Sequence, residues 1–93
     1  MTTDDSSELL DRFLVRGRLI TMPAKQAKRQ MVLDRIAGAF EPGVRYPEKE
    51  VNEILLTFYD DYAALRRYLI DGGFLTRENN VYWRIGGTVD PLD

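Results

Sequence analysis

The stretch FLTRENNVYWRI, Phe74 to Ile85, decides how this chain folds. Two short runs rich in branched and aromatic residues flank Glu78-Asn79-Asn80, and Asn accepts the left-handed backbone that a tight turn requires. The stretch therefore predicts a β-hairpin. In its second run Val81, Trp83 and Ile85 alternate with Tyr82 and Arg84, so the two sets point to opposite faces. Trp83 shares its face with two aliphatic residues and reads as the core side, while Tyr82, beside Arg84, reads as the surface side.

Working back from the hairpin, Gly72-Gly73 terminates a helix capped by Asp60 or Asp61, with Tyr62, Leu65 and Leu69 turned inward. Before it, Tyr46-Pro47 starts a helix in which Val51, Ile54, Leu55 and Phe58 recur at spacings of three and four. Its Glu48 and Glu50 suit the positive end of the helix dipole. EPGVR, Glu41 to Arg45, reads as a turn. A further helix runs from about Ala24 to Phe40 and places Val32, Leu33, Ile36, Ala37 and Phe40 on one arc. RLITM, Arg18 to Met22, is a short strand or extended connector ended by Pro23. Asp5 to Arg16 reads as a leading helix, with Asp5 and Glu8 at capping spacing, Leu9, Leu10, Phe13 and Leu14 as its stripe, and Gly17 as its stop.

This order predicts a mainly α fold with a small β-hairpin, winged-helix-like, in which the last two helices form a helix-turn-helix, the hairpin is the wing and the leading helix is an N-terminal extension. A helical bundle with an accessory hairpin is the rival. The 93 residues suffice for one domain, expected over residues 6–85 between a flexible acidic N-terminus (1–5) and a flexible tail (86–93).

The chain contains neither cysteine nor histidine. That removes thiolate and most zinc sites, imidazole acid–base chemistry and the familiar nucleophile–His pairs, so no catalytic residue, metal ligand or cofactor is expected and the reading is non-enzymatic. No apolar run approaches the roughly 20 residues of a membrane span, and MTTDDSSE is acidic where a signal sequence is basic. A cytoplasmic protein with no membrane partner is the expectation.

Net charge is −2, but it is segregated. Residues 12–35 hold seven basic residues against one acidic, and residues 66–85 hold four against two, while the other blocks are acidic. PAKQAKRQ, Pro23 to Gln30, puts Lys25, Lys28 and Arg29 at a helix start, where the dipole disfavours cations. With Arg16 and Arg18 from the preceding connector they form either an anion site or a solvated face offset by Asp4, Asp5 or the acidic third helix. The second basic set is Arg66 and Arg67 with Arg77 and Arg84 on the hairpin, where Tyr82 is the candidate for base contact. Against duplex DNA stand Asp60 and Asp61 at the start of the same helix. Ile70 falls opposite Leu65 and Leu69 and, with Tyr59, marks a surface for a protein partner or a second copy.

GRL and PAK in the connector, the FEPG turn, EKEVNEIL, and DDYAALRRYLID followed by Tyr82, Trp83 and Arg84 also resemble, in order and spacing, the bacterial domain of unknown function 2087 family. The resemblance covers Phe13 to Ile85. It implies a winged-helix-like unit found alone or attached to transcriptional regulators, with no established activity. That family often has histidine before the paired aspartates, where this chain has Tyr59, so no role of that histidine carries over. The expected function is a transcription-regulator module contacting duplex DNA backbone through a basic surface. A protein-interaction or dimerisation module is the alternative.

Overall fold

The computed structural model describes residues 12–88; Arg12 and Phe13 are helical, and a hairpin with a two-residue turn follows them. Strand β1 (Leu14–Val15) pairs antiparallel with β2 (Arg18–Leu19), in register Leu14 with Leu19 and Val15 with Arg18. Arg16 (φ 56°) and Gly17 (φ 80°) are both left-handed, the backbone that matches a two-residue turn to strand twist. The leading helix expected over Asp5–Arg16 is present at Arg12 and Phe13 and is corrected from Leu14 on, where strand and turn replace it. A glycine that ends a helix also makes a hairpin turn, and Leu14 and Leu19 gain a cross-strand contact from it. Residues 1–11, which include residues 5–11 of that predicted helix, and the end of the tail from 89 lie outside the described residues.

Helix α1 (Gln26–Ala37) buries Val32, Leu33, Ile36 and Ala37. Its regular bonding ends at Ala37, but three tighter bonds follow: Gly38 N–H to Arg35, Ala39 to Ile36 and Phe40 to Ala37. They continue the turn far enough to bring Phe40 fully into the core. After a loop come β3 (Arg45–Pro47), α2 (Glu48–Leu56), α3 (Tyr62–Asp71), β4 (Leu75–Glu78) and β5 (Val81–Arg84). Strands β3, β5 and β4 form an antiparallel sheet in that spatial order, with β5 central. Register aligns Tyr46 with Tyr82 and Arg77 with Tyr82, and places Trp83 between Arg45 and Thr76.

The expected class, mainly α and winged-helix-like with a single hairpin, is therefore corrected to α+β. Among the described residues three helices share the chain with five strands in two antiparallel sheets. The strand responsible is β3, read from sequence as a turn and a helix start. Three residues are too few to show alternation, and Pro47 serves as both the last strand residue and the N-cap of α2. What holds β3 is tertiary. Tyr46 stacks edge-on against Phe40 (centroids 5.1 Å apart) and its hydroxyl accepts the Glu41 N–H at 2.8 Å.

The second hairpin forms where its sequence predicts it, with Asn79 (φ 54°) and Asn80 (φ 64°) as the turn. Its faces alternate as read, but the core lies on the other one. Tyr82 is fully buried with Leu75, whereas Trp83 is half-buried and Ile85 is exposed. The three helices supply the apolar layer under that face: Leu33, Ile36, Val51, Leu55, Leu65 and Leu69 are all buried. The reversal follows from β3, because its single inward residue, Tyr46, sets which face of the shared sheet meets the helices.

Candidate functional site

Helix α3 starts on Asp61, whose carboxylate accepts the Ala64 N–H at 3.1 Å. Leu65 and Leu69 lock its inner face into the core. The flank one step round carries Ala63, Arg66, Arg67, Ile70 and Asp71, spaced so that they line one side of a groove. The opposite side is the hairpin, which contributes Arg77 and Tyr82 in direct register. Together they enclose a cleft of about 400 Å³.

Tyr82 organises the cleft floor. Its ring is buried, and its hydroxyl donates to Glu48 Oε1 at 2.8 Å while accepting from Arg77 Nη1 at 3.2 Å. Glu48 Oε1 also lies 4.0 Å from Arg77 Nη1. The hydrogen bond from its guanidinium to Tyr82, with the charge of Glu48 nearby, raises the pKa of Arg77 above the ordinary arginine value. Arg66 donates to Asn52 Oδ1 on α2, a neutral partner that fixes the side chain without cancelling its charge. Arg67 is exposed and has no hydrogen-bond or ion-pair partner among the described residues. Three guanidinium groups thus line one cleft, with Asp71 in the same lining and Glu48 held against the Tyr82 hydroxyl and Arg77.

The other basic candidates lie elsewhere. Arg84, expected to contact nucleic acid, is half-buried and donates to the carbonyls of Gly86 (2.8 Å), Phe40 (3.2 Å) and Thr88 (2.6 Å). It ties the end of β5 to the end of α1, where Asp34 accepts from both Thr88 N–H and its hydroxyl. Arg18 donates to the Leu56 carbonyl at 2.8 Å and pairs with Asp60 at 2.6 Å, so it satisfies the C-terminus of α2. At the start of α1, Arg29 turns back to the carbonyls of Ala24 (3.0 Å) and Pro23 (3.4 Å) and stacks over Tyr68 at 5.2 Å. Among the described residues neither Lys25 nor Lys28 has an ion pair. Lys25 stands at the N-cap without a side-chain capping bond, and the first turn holds no acid.

Three sequence-level assignments change on this geometry. Tyr82 is not a surface residue: it is fully buried beneath the cleft that it lines. Ile70 is half-buried in the cleft wall, and Tyr59 is half-buried against the core, so neither is freely exposed. The acidic start of α3 is also partly offset, with Asp60 paired to Arg18 and Asp61 spent as a cap. Sequence reasoning missed Glu48 and Asn52, the side chains that position Arg77 and Arg66. Their i,i+4 spacing on α2, which sets them on one helix face, is the signal that marks them. It missed Arg45 as well, whose guanidinium lies over the Trp83 ring, 4.1 Å from its centroid.

Among the described residues no helix is long and apolar enough to cross a membrane, and no group of three or more Asp or Glu side chains is placed to hold a metal ion. No curated protein and no solved structure matches the chain. The family model described as "uncharacterized protein conserved in bacteria (DUF2087)" matches residues 18–84, from β2 to the end of β5, and so takes in the whole of the cleft. On that match the chain belongs to the bacterial DUF2087 family.

Proposed function

We propose that this chain is a non-enzymatic, cytoplasmic module of the transcriptional-regulator type that contacts DNA backbone phosphates through the cleft between α3 and the second hairpin. The observation that carries the reading is the convergence of Arg66, Arg67 and Arg77 on that cleft. Guanidinium groups are suited to phosphate because their planar fork meets two oxygens at once. Among the described residues Arg67 has every donor available, and Arg77 commits only one, to Tyr82. The opposed carboxylates leave the site one positive charge in excess, which supports backbone contact over tight capture of a free anion. The absence of histidine and cysteine supports the non-enzymatic part.

The test is anisotropy of a labelled DNA oligonucleotide titrated with the protein from about 50 mM to about 200 mM salt. Neutralising about three phosphates gives a log–log slope near −3, at roughly 0.9 per contact. No binding at the lowest salt, or an affinity indifferent to salt, overturns the proposal.

A second reading, contact with a protein partner, draws on a different place. Of the exposed large apolar residues, Val15, Ile20 and Leu56 flank Arg18: Val15 as its cross-strand partner, Leu56 as its carbonyl acceptor, and Ile20 two residues on. An aliphatic patch around an ordered arginine has interface chemistry. Light-scattering mass of the wild type against Ile20→Arg tests it, and a monomer in both cases removes self-association.

A further inference from the structure

The outer face of the β3-β5-β4 sheet carries the residues that alternate away from Tyr82. They are Arg45 and Pro47 on β3, Val81 and Trp83 on β5, and Thr76 and Glu78 on β4. None of the six is buried, whereas Tyr46, Leu75 and Tyr82 on the inner face are. Trp83 occupies the central strand of this open face, in register between Arg45 and Thr76, with the Arg45 guanidinium stacked 4.1 Å from the indole centroid. The row contains no carboxylate, since Glu78 lies in the next row, opposite Val81.

A flat π surface joined to a flat cation has a definite preference. Aromatic rings stack on it, and a negative charge next to the ring is attracted by the guanidinium. A nucleobase attached to its phosphate has both features. A protein surface rich in carboxylates has only the second, and an aliphatic surface has neither.

Placement decides which form of nucleic acid fits. Strand β4 is a sheet edge. Arg77 on its inner side lines the arginine cleft, and the preceding residue, Thr76, lies beside Trp83 on its outer side. A polynucleotide crossing that edge has phosphates at Arg67 and Arg77 and a base at the Trp83–Arg45 stack. A duplex keeps its base faces stacked on one another and offers none to the sheet; an unpaired strand exposes them. We propose that Trp83 and Arg45 form a base-stacking platform that makes single-stranded DNA the preferred ligand of this chain. The inference rests on the phosphate-contact reading above and adds to it the form of the DNA.

Trp83 is the single tryptophan of the chain, so its emission reports this site alone. The protein is titrated with a labelled oligothymidylate and with a duplex of equal length, reading label anisotropy and tryptophan emission together. The expected result is tighter binding of the single strand with quenching of Trp83. Trp83→Leu lowers single-strand affinity by roughly 5- to 150-fold, the range for loss of one base stack, and leaves duplex affinity unchanged. Arg45→Gln, at an exposed position away from the core, shows the same selective loss if Trp83→Leu does not fold. Equal affinity for both forms, with emission and both variants unaltered, overturns the platform while the phosphate reading stands. Failure of both oligonucleotides to bind overturns the two together. Quenching that follows protein concentration without DNA assigns the face to a second copy and also overturns the proposal.

Discussion

Replacing Tyr82 by phenylalanine removes one oxygen atom from the floor of the cleft and leaves the buried ring in place. No cavity is created, so the cost is that of the hydroxyl's two bonds, to Glu48 at 2.8 Å and from Arg77 at 3.2 Å. Hydrogen bonds to charged groups are worth about 1.5–3 kcal/mol when water cannot replace them. Here water can in part, because the Glu48 and Arg77 side chains are 34% and 58% exposed. The net loss is therefore about 1 kcal/mol, which for a domain of this size lowers Tm by roughly 4–8 °C. Urea unfolding followed by Trp83 emission measures it, and the midpoint should fall with no change in m-value. A double-mutant cycle with Glu48→Gln isolates the shared term, since each single change disturbs the same bond. An unchanged midpoint, or additive losses in the cycle, refutes the claim that Tyr82 ties α2 to the hairpin.

The two adjacent aspartates separate capping from ion pairing. Asp61→Ala should cost about 1 kcal/mol by unfolding midpoint because it strips the α3 cap, and Asp60→Ala no more than about 0.5 kcal/mol because the residue is almost fully exposed. Gly86→Ala should be destabilising by about 1–3 kcal/mol, since its Cβ would stand 2.4 Å from the Gly73 carbonyl oxygen. A neutral Gly86→Ala by thermal melt would contradict that close approach.

The residues that showed themselves in the sequence are those whose signals repeat. Val32, Leu33, Ile36, Ala37 and Phe40 follow a helical arc and are all buried; Asn79-Asn80 is a turn with the required backbone. The alternation Val81-Tyr82-Trp83-Arg84 was equally legible, but alternation says only that two faces differ. Choosing the buried one required Tyr46, in a strand too short to announce itself. The site divided the same way. Arg66, Arg67 and Arg77 were recognisable as cations, and the grouping that excludes Arg84 and Arg18 was not, because carbonyl acceptors such as those of Phe40 and Leu56 leave no trace in side-chain identity. The helix-start cations were the most visible feature of the chain. Their one organised member, Arg29, caps its own segment and packs on Tyr68.

On the proposed function, the arginines between α3 and the hairpin, and not the lysines opening α1, meet the phosphates. The salt slope of DNA affinity tests it directly when wild type is compared with Arg67→Gln/Arg77→Gln and with Lys25→Gln/Lys28→Gln, all three confirmed folded by circular dichroism. The account predicts that the arginine pair lowers the slope by about 2 and the lysine pair leaves it as it was. An unaltered slope in the arginine variant, or a loss confined to the lysine variant, contradicts it.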